Sequence, residues 1–448
     1  MESVSFWHEA VDLSPRPTLD GDATADVAIV GAGLTGLWTA YYLQKRNPDL
    51  SIIVIDKNVA GFGASGRNGG WASALFPQST SSLVKTYGFG RAKALRNAMV
   101  ETISEIGRVV AAEKINCDWV HKGTIVYARS ALQEKELRKE VAETTSLGID
   151  KLEWWDAGRV AAGGARGATF TPDCARLHPA KLVDQMAKLV ESRGARIVER
   201  TTVTSWKSGV VQTDRGTVRA KHIINATEGY GASIKQTHRR ILPLYSLMIA
   251  TEPFPEKVWK ELKIEHGHTF SDGRHLVIYG QRTADNRFAF GGRGARYHWG
   301  SSIKPEYDRV DRVFDHLTRT LQEMFPQIAD QIKVTHRWGG PLGVPRDWHA
   351  TVDYDPTTGL GGAGGYVGDG LSTTNLAGRT LADLITGTSS DLTELPWVNH
   401  RSPSWEPEPL RFVGANVGLV GMTIADEEEK LTGRPSIVAR LLAPLTGH

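Results

Sequence analysis

Asp26-Val-Ala-Ile-Val30, followed by Gly31-Ala-Gly-Leu-Thr-Gly36, decides the fold. The first five residues are a short apolar run rich in strand formers. A glycine turn comes next, and then Leu37 to Arg46, which favours helix and is ended by Asn47-Pro-Asp49. Ser51-Ile-Ile-Val-Ile55 is a second buried strand. The unit is strand, turn, helix, strand within about 30 residues. Its glycines divide the work. Gly31 permits the tight turn, Gly33 lets a pyrophosphate approach the backbone, and Gly36 lets helix lie close on strand. Free N–H groups and the dipole at the helix start favour the phosphate charge. Asp56 stands 20 residues after Gly36, at the end of the second strand. A carboxylate there accepts hydrogen bonds from ribose hydroxyls and argues against a 2′-phosphate. The stretch reads as a Rossmann-type dinucleotide site, with NAD and FAD both open.

The rest of the chain is ordinary in bulk. It has 448 residues, 40% hydrophobic and 23% charged. With 53 basic and 50 acidic residues its formal charge is +3, too balanced to argue for nucleic acid or an anionic surface. Cys117 and Cys174 do not form a close pair, which fits a reduced, intracellular protein. The start, Met1 to Ala10, lacks the pattern of a secretory signal. There is no run of 18 uncharged apolar residues. The nearest approach is the glycine-rich Phe412 to Ala425. A cytoplasmic location is expected.

Beyond Asp56, residues 61–74 are glycine-rich and expected to be irregular. Helices are expected over Arg91–Lys114, Ala131–Thr145, Lys181–Arg193, Asp308–Met324 and Thr374–Thr386. Short strands are expected at Arg196–Glu199, Val210–Thr213, Thr217–Ala220 and His222–Ala226. Tyr245–Thr251, Leu276–Gln281 and Arg287–Phe290 read as strands of a different, sheet-based unit. Leu360 to Gly370 is again glycine-dense. The fold class is α/β: a Rossmann-type domain in discontinuous segments, 26–100, 165–235 and 336–390. An α+β substrate domain, 101–164 and 236–335, is interleaved with it. Residues 391–448 are a C-terminal extension packing on the body, with Ser436 to Leu445 as a terminal helix.

Gly61-Phe-Gly-Ala-Ser-Gly-Arg-Asn-Gly-Gly-Trp71 is too long and glycine-rich for a simple connection. Ser65, Arg67 and Asn68 offer donors where the backbone could press on an extended cofactor. Together with the Asp26–Ala40 stretch, this loop resembles the D-amino-acid oxidase superfamily of FAD enzymes, and within it the gamma-glutamylputrescine oxidase-like branch. The resemblance continues at Thr171-Pro-Asp173, Leu177-His-Pro179, Asn225-Ala-Thr-Glu-Gly229, Pro243 to Thr251, Trp338-Gly-Gly340, Gly364-Gly-Tyr-Val-Gly-Asp-Gly370 and Trp405-Glu-Pro-Glu-Pro409. It therefore spans nearly the whole chain.

What the resemblance implies is an FAD site. Gly31, Gly33, Leu34, Thr35 and Gly36 would hold the pyrophosphate, and Asp56 with Lys57 the adenosine. Gly63, Ala64, Ser65, Gly66, Arg67, Asn68, Gly69 and Gly70 would line the flavin side, with Gly339 beside them. Val203 would contact adenine through its backbone, and Ala226 and Thr227 would pass near the pyrophosphate. Gly368, Asp369, Gly370, Leu371 and Ser372 would meet the pyrimidine edge of the flavin. A helix start aimed there favours a reduced, anionic flavin. Many relatives have histidine where this chain has Asp369. Covalent-flavin relatives carry a histidine in the first loop or a cysteine in the later one; this chain has neither, so non-covalent FAD is expected.

The expected chemistry is hydride transfer from a C–H next to nitrogen onto flavin N5, in a small-molecule amine or amino acid. The imine hydrolyses to a carbonyl, and molecular oxygen is reduced to hydrogen peroxide. A dehydrogenase passing electrons to a quinone or carrier is the alternative, and a non-catalytic flavin-binding module a third. The amine must be neutral, and an aromatic, apolar pocket promotes this by desolvation. Trp71, Tyr366 and Asp369 are the catalytic candidates. Tyr245, His298, Trp338 and Tyr366 are the substrate candidates. Arg274, Arg293 and Arg296 could clamp a carboxylate. His266-x-His268 lacks a third ligand, and no metal is expected.

Overall fold

Every residue of Val27–Val30 and of Ile52–Ile55 is buried. That is the signature of parallel strands covered on both faces. The computed structural model describes residues 4–148 and 151–446, with backbone alone for 443–446. The elements used below, in chain order, are β1 (Ala23–Val30), α1 (Leu34–Arg46), β2 (Ile52–Ile55), β3 (Trp71–Ser73), β4 (Thr217–Asn225), β5 (Leu242–Thr251), β6 (Phe288–Ala295), β7 (Val334–Val344), β8 (Leu360–Gly364), α2 (Gly370–Thr386), α3 (Leu410–Thr432) and α4 (Ile437–Thr446).

The first sheet runs β8, β4, β1, β2 and Arg196–Val198, all parallel. The expected break between Thr217–Ala220 and His222–Ala226 is absent. β4 is one strand whose first half pairs with Val210–Thr213 and whose second half pairs with β8. β8 itself lies in the glycine-dense stretch. A Cβ at Gly361 would sit 2.6 Å from the Asp353 oxygen, and one at Gly362 would sit 2.7 Å from the Asn225 oxygen. The glycines are there because neighbouring backbones leave no room for side chains. α1 and α2 begin three and four residues earlier than the apolar pattern predicts, because glycines fill their first turns.

The second sheet has eight strands, with β7, β5 and β6 at one end and Gly167–Thr171 and Glu153–Asp156 at the other. The helix Asp311–Met324 lays Val313, Phe314, Leu317 and Leu321 on it. Three boundaries differ from the expected division. Gly167–Thr171 pairs in the second sheet, not the first. β7 pairs with β5 along most of its length, so position 336 falls inside a strand of the second sheet. Position 101 falls inside the helix Phe89–Ala112, whose Leu95, Met99, Ile103 and Ile106 all belong to the first core. A third, small sheet joins β3 to Cys174–Arg176 and Val120–His121. Cys117 and Cys174 are both free and buried. No helix among the described residues is long and apolar enough to cross a membrane.

Candidate active site

The first sheet ends its central strands at a cavity of about 1440 Å³, part of it open to solvent. Two helices start at its wall. Gly33, Leu34 and Thr35 come from the start of α1, and Gly368, Gly370, Leu371 and Thr374 from the start of α2. Neither helix has an acidic residue in its first turn or a cap from its own N-cap side chain. Apart from the Leu34 N–H, which Ser65 takes up, their first-turn N–H groups and positive dipole ends face the same cavity.

The turn at β1 is set by backbone geometry. Gly31 has φ +115°, and a Cβ on it would lie 2.6 Å from the Ala226 oxygen. Ser65 reaches across, accepting the Leu34 N–H at 2.9 Å, and a Cβ at Gly33 would meet its Oγ at the same distance. So the loop closes on the helix start only because position 33 is glycine. Asp56 accepts from Ala32 N–H at 2.8 Å and from Asn58 N–H at 2.7 Å. Burial nonetheless pushes its carboxyl up to about 6. Its carboxylate thus holds the turn while its remaining lone pairs stay available. Lys57, Gly63, Ala64, Asn68, Val203, Ala226 and Thr227 also line the cavity.

Other expected residues stand behind the wall. Gly36 packs α1 onto β1. Gly66 packs against His8, and Gly69 against the Tyr279 ring. Gly70 meets Gln281 and the Leu177 carbonyl. Arg67 does not point its donors into the cavity. Its Nε donates to the Phe62 carbonyl at 2.6 Å, and Nη1 to Asp308 at 2.6 Å and the Gly339 carbonyl at 3.1 Å. Asn68 donates to its own loop, at the Ala64 and Ser65 carbonyls. Gly339 backs onto Asp308; two residues further along β7, Pro341, Leu342 and Gly343 form the wall. Ser372 donates to the Ser73 carbonyl at 2.5 Å.

The aromatic candidates separate. Tyr366 lines the cavity, but its hydroxyl is bonded to Thr35 Oγ1 at 3.0 Å, at the α1 start. Trp338 is a bracket: its indole donates to the Arg67 carbonyl at 2.8 Å, and its ring sits in a core with Trp7 and Met248. Tyr245 is buried edge-on to His298 and Tyr307, and His298 stacks flat on Tyr307 at 3.3 Å. Those three form a packing cluster off the cavity lining. Arg274 is paired twice with Asp272, and Arg296 is exposed. His266 and His268 bond Arg176 and the Glu265 N–H, and no group of metal-ligating residues exists among the described residues.

Arg293 and Asp369 stand beside Gly368, though neither is itself part of the cavity lining, and Trp71 is off the lining too. Arg293 donates to the Val367 carbonyl at 2.6 Å, and a Cβ at Gly368 would lie 3.7 Å from its Nη2. Burial pulls its guanidinium down, while Asp369 holds it up. Burial likewise pushes Asp369 up to about 6, against the pull of Arg293, Arg96 and a Ser73 hydrogen bond. Trp71 lies edge-on to Tyr279, and its indole N–H is buried with no partner among the described residues.

Several lining residues escaped the sequence reading, among them Thr201, Tyr230, Pro341 and, with the clearest role, Glu228. Glu228 lines the cavity in a left-handed conformation, φ +46°. Its carboxylate accepts N–H bonds from Gly343 at 2.6 Å, Gly365 at 3.1 Å and Tyr366 at 3.2 Å. It ties the second sheet to the loop that leads into α2. An acid directly before a glycine after an apolar strand is the only local sign of it.

Comparison with known proteins follows the geometry. The model of the family described as FAD dependent oxidoreductase matches residues 26–384. Gamma-glutamylputrescine oxidoreductase of Escherichia coli is 30% identical over 402 residues, 86% of this chain and 89% of its own. A probable oxidoreductase OrdL of Haemophilus influenzae is 30% identical, over 83% of this chain and 85% of its own. Glycine oxidase from Geobacillus kaustophilus has the same fold, with TM-score 0.70 at 20% identity, over 84% of this chain and 99% of its own. L-proline dehydrogenase from P. horikoshii has TM-score 0.68 at 16% identity, over 84% of this chain and 96% of its own.

Proposed function

We propose, for a chain that belongs to the FAD-dependent oxidoreductase family, that it is an oxidase of a small amine or amino acid bearing a carboxylate. Its membership makes it an FAD enzyme acting on amines or amino acids. The observation that carries the finer reading is the pair beside Gly368: Arg293, half-buried and bonded to the Val367 carbonyl, with Asp369 as its carboxylate neighbour.

The cavity fits FAD by its donor chemistry: glycines where side chains would collide, amides at two helix starts, and an acid at the far end. The α1 start would hold the pyrophosphate, and Asp56 and Val203 the adenosine. Ala64, Ser65 and Pro341 to Gly343 would flank the flavin, and Gly368 to Leu371 its pyrimidine edge. The site carries no residue for a covalent link in the glycine loop, and non-covalent binding is the reading adopted. The chemistry FAD would supply there is acceptance of a hydride from a carbon next to nitrogen, with return of the two electrons to an acceptor.

The chain's own residues do the rest. Arg293 holds the substrate carboxylate, a charge-assisted arrangement suited to a guanidinium. Asp369 Oδ takes the proton of the substrate ammonium, which frees the nitrogen lone pair. A carboxyl near 6 is ionised at neutral pH yet close enough in affinity to exchange that proton. Loss of a hydride and this proton leaves a protonated imine, which water converts to carbonyl and ammonium or a protonated amine. Molecular oxygen is the acceptor in this reading, giving hydrogen peroxide.

The test is anaerobic mixing with a panel of amines and amino acids, following the flavin's visible absorbance. The relatives' names supply the first compounds: gamma-glutamylputrescine, glycine and L-proline. Bleaching by a carboxylate-bearing amine and fast recolouring in air, with peroxide formed, is expected. Bleaching by none of them refutes the reading. Slow recolouring in air, restored by a quinone, refutes the oxidase and leaves a dehydrogenase.

A further inference from the structure

The Leu410–Thr432 helix, α3, is apolar on two opposite sides. Phe412, Ala415 and Leu419 pack on the body, against the cluster of Tyr297, Val367 and Trp405. The opposite side carries Leu410, Val413, Val417, Val420, Ile424 and Leu431, every one at least 50% exposed. Their spacing is three, four, three, four and then seven. That is a strict two-in-seven seam, narrower than the broad apolar face by which a helix covers a core. Ile437 and Leu441 of α4, also exposed, add a further turn of apolar surface. The family model ends at residue 384, so the whole feature lies outside the matched region.

We infer that this seam is the interface through which two copies of the chain form a two-fold dimer. Eight bare aliphatic side chains amount to roughly 500 Å² of apolar surface, near the upper end of what monomers leave in one patch. Two such stripes, with their flanks, approach the roughly 1,200 Å² of a small specific interface. A seam of this spacing fits another of the same spacing, and a two-fold axis supplies one from an identical chain. Gly414 and Gly418 beside the seam have nothing within 4 Å of a Cβ position, which leaves room for a second backbone. Gly421, by contrast, is already filled by Leu442 of α4.

A lipid surface suits the helix poorly. Asp426, Glu427, Glu428 and Glu429 follow one another in its last third, and Glu427 occupies a seam position. An interfacial membrane helix instead carries basic residues on its polar side. The inner side of α3 rests on Val367, next to Gly368 of the cavity wall.

The experiment is sedimentation equilibrium of the FAD-loaded full chain at micromolar concentration. The expected mass is twice 49.0 kDa. Val417→Glu with Val420→Glu is expected to give the single mass, with flavin content and activity kept. Val417→Leu with Val420→Leu is expected to stay dimeric. Amide exchange over residues 410–424 of the unaltered protein is expected to slow as concentration rises, a readout independent of any variant. A single-mass wild type overturns the inference, as does a dimer that survives both glutamates. Exchange unaffected by concentration overturns it too. A wild type that is monomeric in solution but pellets with phosphatidylcholine–phosphatidylglycerol vesicles assigns the seam to lipid instead.

Discussion

Replacing Arg67 by alanine separates two roles that one loop residue can have. The sequence places it among cofactor contacts; its observed bonds make it a bracket between the glycine loop and the second sheet. The guanidinium is almost fully buried and is held by Asp308, by the Gly339 and Phe62 carbonyls, and by the Phe62 ring 4.4 Å away. Arg67→Ala leaves Asp308 half-enclosed without its cation. Breaking a buried pair from one side costs about 3–5 kcal/mol. Unfolding entropy of about 2.1 cal/mol/K per residue gives roughly 0.9 kcal/mol/K for 448 residues, so the melting temperature falls by about 3–5 °C. Arg67→Lys keeps the charge but loses the fork and is expected to cost about 1–2 kcal/mol. Asp308→Asn in the alanine background recovers part of the loss.

The loss also depends on pH. Burial already pushes the Asp308 carboxyl up, and Arg67 pulls it down. Without Arg67 its folded pKa moves further above the unfolded value. Such a carboxyl costs nothing while protonated in both states. The cost appears as pH rises from the ordinary carboxylate range and is complete above the folded pKa. The deficit of Arg67→Ala is therefore largest near about pH 8 and shrinks toward about pH 5. Urea unfolding of the apoprotein at both pH values measures it. If the apoprotein loses less than about 0.5 kcal/mol while the FAD Kd rises about a hundred-fold, the bracket reading is wrong and Arg67 is a cofactor contact.

Three further outcomes are expected. Gly36→Ala places a Cβ 3.1 Å from Ile29 Cγ2 and on top of the Gly31 carbonyl oxygen; FAD affinity should fall by about a hundred-fold or more in a fluorescence titration. Glu228→Ala leaves three N–H donors without their acceptor and should cost about 3 kcal/mol, with Glu228→Gln milder, both read by chemical denaturation. In the proposed mechanism, the acid limb of kcat/KM should bend near 6, where Asp369 titrates, and lose that bend in Asp369→Asn.

How far the site was legible depends on how local its determinants are. The turn at Gly31 to Gly36 was legible because glycines at that spacing between a strand and a helix are a local pattern, even though the atoms that exclude side chains at Gly31 and Gly33 belong to Ala226 and Ser65, far away in sequence. The start of α2 was legible only as a glycine-dense approach to a helix, and the helix itself begins four residues before the expected Thr374. β8 was not: its glycines argue against a strand in isolation, and only the approach of Asn225 and Asp353 makes them necessary. The aromatic residues depended on register. Trp338 pairs with Met248, and Tyr245 with Pro341, so which side each ring takes is decided by strands about 90 residues apart in sequence. Tyr245 and Trp338 went to packing, while Pro341, which no chemistry singled out, took the wall. The four cationic candidates were equivalent on paper and separated only by their neighbours. Arg274 has Asp272, Arg296 has solvent, and His298 has the Tyr307 ring. Arg293 alone of the four stands beside Gly368 with Asp369 as its carboxylate neighbour. Asp369 therefore has a partner of opposite charge at hand.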